Sequence, residues 1–295
     1  MRIAVTGASG FIGGHLVPAL RGAGHDVVRL VRRAPTAADE VRWDPTTGTV
    51  DTHALGHVDA VVHLAGPGIG ERRWTRRYKH ELITARVQGT ATIARTLAAM
   101  NPRPQVLVSV SGIGYYGDTG SNPVEESAPS GATFAAETCR RWEGAAAPAV
   151  EADIRVVHPR SAPVMARRGG AFGRLRLVLN SGLGGPLGSG RQYWSWITIE
   201  DEIRSMLFAL EDAHLHGPVN FCAPTAVTNA ELMRACARAL HRPALVPVPA
   251  FALRIVLGEF ANELLINQRV VPRKLLDAGF TFSHPDIDGA ARTLA

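Results

Sequence analysis

Thr6-Gly7-Ala8-Ser9-Gly10-Phe11-Ile12-Gly13, preceded by the apolar run Ile3-Ala4-Val5, decides the reading of the fold. A short buried strand runs into a glycine turn and then into helix-compatible sequence. Gly7 permits the tight turn, Gly10 lets backbone N–H groups approach an anion, and Gly13 lets the helix pack close to its strand. The new helix N-terminus adds unpaired donors and a partial positive charge. The pattern is that of a dinucleotide site, with Gly7, Ser9, Gly10, Phe11, Ile12 and Gly13 as its expected contacts.

Outward from that turn, short apolar runs predict strands at 2–6, 26–31, 59–64, 105–110 and 154–158. Helical stretches are expected near 11–22, 75–100 and 134–150. Alternation of this kind implies an α/β fold, a Rossmann-type doubly wound parallel sheet with ligands at the carboxyl ends of its strands. After Pro159 the pattern loosens. Gly/Pro-rich loops at 168–173 and 182–190 precede a helix near 200–213, a strand near 218–222 and a helix near 228–241. Pro243, Pro247 and Pro249 then lead into a helical stretch over 250–278. A cofactor-binding domain is therefore expected over 1–163, drawing also on 195–225, with a smaller, loop-rich substrate domain over 164–295.

Composition narrows the function classes. With 46% hydrophobic and 20% charged residues, the 295-residue chain reads as soluble and globular. It has no apolar run of about 18 residues and no signal-like start, so no membrane association and a cytoplasmic location are expected. Three widely spaced cysteines suggest neither disulfides nor a metal site. The net charge of +6 comes from scattered residues, all but two of them arginine (the lysines are Lys79 and Lys274). The densest cluster, Arg72-Arg73-Trp74-Thr75-Arg76-Arg77-Tyr78-Lys79, is either a solvated helix face or an anion-attracting rim. No nucleic-acid-binding module accompanies it, so the expected partner is an unidentified small-molecule substrate, with the chain a monomer or homodimer.

About 20 residues past a glycine turn of this type, an NAD site presents a carboxylate to the ribose 2′-OH. Here the second strand ends instead on Arg32-Arg33. A guanidinium fork suits the 2′-phosphate, so the expected cofactor is NADP(H), with Arg32 and Arg33 reading it.

Further motifs carry a family resemblance. Asp59-Ala60-Val61-Val62-His63-Leu64-Ala65-Gly66, Arg86-Val87-Gln88-Gly89-Thr90 and Ser109-Val110-Ser111-Gly112-Ile113-Gly114-Tyr115-Tyr116-Gly117 resemble successive motifs of extended short-chain dehydrogenases/reductases, as does Trp196-Ile197-Thr198-Ile199-Glu200-Asp201. Trp43-Asp44-Pro45, Arg73-Trp74-Thr75, Trp142-Glu143 and Leu183-Gly184-Gly185-Pro186-Leu187-Gly188-Ser189-Gly190 resemble the atypical subgroup called family 39U, or "epimerase family" proteins. Val246–Arg254 and Asn267–Pro272 resemble that subgroup's C-terminal domain of unknown function. The resemblance covers essentially the whole chain. It implies an NADP-binding oxidoreductase or epimerase of unassigned substrate. It also implies cofactor contacts at Leu64, Ala65, Gly66, Glu81, Arg86, Ser109, Pro159 and Arg160.

Hydride-transferring relatives use a Tyr activated by a Lys four residues on, with a Ser sharing the substrate oxygen. No Tyr-x-x-x-Lys exists in this chain, and Phe134 and Thr138 stand where the pair is expected. Ser111, Tyr115 and Tyr116 are the candidate replacements, with Arg160 setting their electrostatics; the alternative is that one tyrosine merely packs beneath the cofactor. Cys139 reads as a small core residue, Glu125-Glu126 as a solvated loop, and His63 as a packed strand-end histidine. Arg191, Gln192, Tyr193 and Trp194 either receive a planar or phosphorylated ligand or anchor their loop. Three functions compete. They are an oxidoreductase with a non-standard proton donor, a non-catalytic NADP-binding sensor or interaction module, and a strict nucleotide-sugar epimerase, which the missing pair disfavours.

Overall fold

A computed structural model of the chain describes residues 1–180, 184–244 and 246–293. Positions 182 and 183 of the expected Gly-rich loop, and 294–295 of the expected C-terminal domain, lie outside the described residues.

The first half alternates strand and helix: β1 (Arg2–Thr6), α1 (Gly13–Gly22), β2 (Asp26–Val31), β3 (Glu40–Asp44), β4 (Thr49–Val50), α2 (Thr52–Leu55), β5 (Ala60–His63), α3 (Arg76–Ala99) and β6 (Val106–Ser109). The short β7 (Ser111–Gly112), α4 (Phe134–Gly144), α5 (Ala147–Glu151) and β8 (Arg155–Ser161) come next. The chain continues through β9 (Val164–Met165), α6 (Gly170–Asn180), β10 (Tyr193–Trp194), β11 (Ile197–Thr198), α7 (Ile199–Glu211), β12 (Gly217–Phe221), β13 (Val227–Thr228) and α8 (Asn229–Ala239). It closes with four short helices, α9 (Ala250–Leu257), α10 (Ala261–Leu265), α11 (Arg273–Asp277) and α12 (Ile287–Arg292).

The main sheet runs β12-β8-β6-β5-β1-β2-β3-β4, with β7 alongside β8. All its pairings are parallel except β3 with β4. Side-chain alternation divides its core. Ile3 and Val5 of β1 pack with Leu16, Leu20 and Met206 on one face, while Ala4 joins Val28, Ile93 and Leu97 on the other. The strand order reverses outward from β1, which places the glycine turn at the switch point where doubly wound folds bind ligands.

Three expectations need correction. The 134–150 helix is two helices, because Pro148 in the first turn of α5 has no N–H with which to continue α4. The 250–278 stretch is broken at Gly258, whose φ of +64° ends α9, and by an extended segment before Pro272. The glycine-rich 168–173 stretch is not all loop, since α6 starts at Gly170. That extended segment is a strap. Thr119 and Val124 N–H donate to Asn267 and Arg269 O, and Val271 N–H donates to Val124 O. On its other side Gln268 N–H donates to Tyr193 O, and Ser195 N–H donates to Gln268 O. No helix among the described residues is long and apolar enough to cross a membrane.

Candidate active site and cofactor cleft

The cleft begins at the turn between β1 and α1. Gly7 has φ +67°, and a Cβ there would stand 2.9 Å from the Leu64 carbonyl carbon. A Cβ on Gly13 would stand 2.2 Å from Gly7 O, so only glycine closes this turn. The long helices α3, α4, α7 and α8 each start on a threonine whose hydroxyl accepts a first-turn N–H. Helix α1 does not. Its N-terminus has no side-chain cap and no acidic residue in the first turn, and no bond to a described residue occupies the N–H groups of Phe11 and Ile12. An uncapped helix end beside a glycine cradle fits a dinucleotide pyrophosphate. The Phe11 ring leaves the turn toward Gly169 and Gly170, where any added Cβ would come within 3 Å of it.

Leu64 and Ala65 are held at this turn by a small network. Their N–H groups donate to Thr6 Oγ1 at 3.1 and 3.2 Å. With its acceptor capacity so used, Thr6 donates to His63 Nδ1 at 2.8 Å. Burial holds His63 down to about 4, so it is a neutral structural histidine. Gly66 lies against Arg86, which is buried and donates to Pro67 O and Leu82 O at 2.7 and 3.2 Å. Arg86 therefore shapes the cleft floor.

Arg32 and Arg33 separate. Arg33 is engaged by Glu40 of β3 through two bonds, 2.8 and 2.6 Å, and the same carboxylate accepts from Thr36. Arg32 has no partner among the described residues. Glu81 pairs with Arg77 at 2.9 Å on the partly exposed side of α3. Pro159 is buried within β8, in register with Val219, and the Ser109 hydroxyl is buried without a partner among the described residues. The arginines of the cluster, Arg72, Arg73, Arg76 and Arg77, are all exposed, and other contacts tie the run to neighbouring segments. Lys79 pairs with Glu259 at 2.8 Å, Arg73 lies over Gly258, and Trp74 packs on Phe134 and Phe260.

The candidate catalytic residues meet at the carboxyl ends of β6, β7 and β8. Ser111 Oγ donates to Glu143 Oε1 at 2.8 Å. Arg160 donates to both Glu143 oxygens, at 2.9 and 2.8 Å, and through Nη1 to the Tyr116 hydroxyl at 2.9 Å. Tyr116 in turn donates to Asn220 Oδ1 at 2.7 Å. Burial opposes the Arg160 charge, yet Glu143 outweighs it and raises its pKa. Burial likewise pushes the Tyr116 phenol up to about 12 despite Arg160. Tyr116 thus has its hydroxyl satisfied on both sides within the core. Tyr115 differs. Its ring lies on the Arg160 guanidinium, 3.4 Å from ring centre to Cζ, and its hydroxyl has no partner among the described residues.

Sequence reasoning missed the Glu143–Arg160 pair and the hub at Asn220. Glu126 is no solvated loop residue: it is buried and accepts from Asn220 N and Lys274 N, while Glu125 pairs with Arg273 at the surface. Cys139 is buried against Gly112 O, and burial pushes its thiol up to about 11, which leaves it inert. Gln192 and Trp194 anchor their loop by donating to Leu264 O, whereas Arg191 and Tyr193 face a surface pocket.

A parallel sheet with a glycine-turn cleft and a Ser/Tyr cluster on the neighbouring strand ends defines a class of protein. Residues 3–221 match the NAD dependent epimerase/dehydratase family, and the chain belongs to it. Residues 248–294 match a domain of unknown function, DUF1731. The chain is similar to an epimerase family protein of Mycobacterium leprae, 43% identical over 98% of this chain and 94% of that protein. It is also similar to the epimerase family protein SDR39U1 of Bos taurus, 39% identical over 99% of each. The crystal structure of human SDR39U1 (isoform 2) with NADPH matches with a TM-score of 0.91 at 34% identity, covering 99% of this chain and 98% of that one. A Thermus thermophilus UDP-glucose 4-epimerase in complex with NAD, 20% identical with a TM-score of 0.76, shares the fold.

Proposed function

We propose that the chain binds NADP(H) and acts as an oxidoreductase on a small carbonyl or hydroxyl substrate, with Tyr115 handling the proton. The glycine cradle and uncapped α1 N-terminus would hold the pyrophosphate, and Arg32 would meet the 2′-phosphate. That human SDR39U1 was crystallised with NADPH supports this cofactor. When bound, NADPH supplies the hydride. The chain must then supply a proton to the substrate oxygen.

The observation that carries the assignment is the free Tyr115 hydroxyl above Arg160. The Ser111 hydroxyl already donates its hydrogen bond to Glu143, and Tyr116 is locked between Arg160 and Asn220. The Arg160 guanidinium lies against the Tyr115 ring face, a cation–π contact that orients the phenol. Glu143 fixes the guanidinium in place. The engagement of Ser111 and Tyr116 also supports a second reading, a non-catalytic NADP(H)-binding module.

The test is a screen of small carbonyl compounds monitored by NADPH absorbance. Tyr115→Phe is expected to lower turnover by about 10²-fold or more, the usual contribution of a general acid, with NADPH affinity retained. Equal turnover in Tyr115→Phe and the parent would overturn the assignment. NADPH binding without turnover on any substrate would favour the second reading.

A further inference from the structure

We propose that a pocket on the C-terminal half of the molecule is an anion site that receives the phosphoryl group of a phosphorylated substrate. The pocket has a volume of about 490 Å³, within the range of small-molecule sites. It is framed by Ser121, by Arg191 before β10 and Tyr193 within it, by Thr228 at the N-cap and Arg234 in the second turn of α8, and by Asn267 of the strap.

Much of the lining is already engaged. Thr228 N and Oγ1 both donate to Glu231 Oε2 in a capping box, at 2.8 and 2.7 Å. Asn267 Nδ2 donates to Asp118, and its Oδ1 accepts from Tyr193 N. Ser189 Oγ accepts from Arg191 N, which fixes the base of that side chain. Arg269 stacks on the Tyr193 ring at 4.6 Å and donates to Ser121 O at 2.8 Å, which joins the two sides of this wall.

What remains unengaged among the described residues is a set of donors. Arg234 uses Nε on Ala230 O, leaving both terminal nitrogens free. The Arg191 guanidinium, the Ser121 hydroxyl and the Tyr193 hydroxyl have no partner there. Two guanidiniums 43 positions apart in sequence thus share one concavity without a carboxylate bonded to either. On its margin the Asp118 carboxylate is held by Asn267 and the Glu231 carboxylate by the Thr228 cap, and Glu231 offsets part of the Arg234 charge. Like charges so placed are offset by a dianion, and paired guanidinium forks match the oxygens of a phosphoryl group. The free hydroxyls add donors on the same wall.

The pocket and Tyr115 share one loop. Ser121 lies six positions after Tyr115, a span of at most about 22 Å. The role as a substrate site rests on the Tyr115 reading above. The anion site itself does not.

Isothermal titration on the NADPH-saturated chain, with inorganic phosphate and glucose 6-phosphate as probes, tests the proposal. Both probes are expected to bind, and the Arg191→Ala/Arg234→Ala variant to weaken both about tenfold or more while NADPH affinity is unchanged. Unchanged probe affinity in that variant, or no binding by the parent, overturns the site. Loss of NADPH affinity in the variant overturns it too, by assigning the arginines to the cofactor. Tyr115→Phe should leave probe affinity intact, so failure of the proton-donor reading is seen separately, in turnover alone.

Discussion

Arg32 and Arg33 stand side by side in sequence and do different work. Arg33 is closed off by Glu40, whose carboxyl Arg33 holds down to about 2, and Arg33 thereby ties the end of β2 to β3. Arg32 has no partner among the described residues, and we propose that it meets the 2′-phosphate. Arg32→Glu is accordingly expected to weaken NADPH by about tenfold or more while changing NADH little, read by nucleotide fluorescence titration. Equal loss for both nucleotides would place Arg32 outside 2′-phosphate recognition. The glycine turn was legible from spacing alone because its constraint is local: a Cβ at Gly13 would strike Gly7 O within the same turn. The fate of Arg33 was not, since its partner lies on a strand the hydrophobic pattern did not reveal. The Glu143–Arg160 pair was hidden for another reason: the two stand 17 positions apart on a helix and a strand that meet only in the fold.

At the scale of elements, β12 joins the nucleotide-binding sheet to the C-terminal segments. Asn220 is wholly buried there and makes three bonds to three segments: it accepts from Tyr116 OH, donates through Nδ2 to Val271 O, and donates through N to Glu126. Asn220→Ala removes the acceptor of the Tyr116 hydroxyl, which keeps only Arg160, and leaves the Val271 carbonyl without its side-chain donor. A loss of about 1–3 kcal/mol is expected in denaturant unfolding. A neutral result would mean that water replaces the side chain. Six strands of the main sheet could be read from their apolar runs; the two-residue β4 and β7 could not, and neither could β3. It is a short strand reading Glu-Val-Arg-Trp-Asp, too polar to stand out. The breaks in the C-terminal helices came from backbone conformation at Gly258 and from the strap's bonds to distant segments. Neither is written in local periodicity.

For the whole molecule, two buried groups set opposite pH limits. Glu202 is fully enclosed with Ser161 as its donor, and burial pushes its carboxyl up to about 8. The unfolded chain releases that proton in the ordinary carboxylate range. Stability is therefore complete below that range and falls as pH rises toward 8, by on the order of 1 kcal/mol per pH unit. His63, held down to about 4, acts in reverse: its contribution is present above the ordinary imidazole value and is lost as pH falls toward 4. Glu202→Gln should flatten the alkaline side of a melting-temperature profile between pH 5 and 8 and leave the acid side alone. An unaltered slope would assign it to other groups. The strap at Asn267–Val271 bears on how the molecule comes apart. Backbone bonds along both of its edges stitch the loop after Tyr116 to β10, so the C-terminal segment is woven into the nucleotide-binding half. Calorimetry is expected to show one cooperative transition, and a chain cut before the strap should lose the Tyr115 loop along with its tail. Exchanging that segment for another would mean rebuilding hydrogen-bonded edges on both of its sides at once.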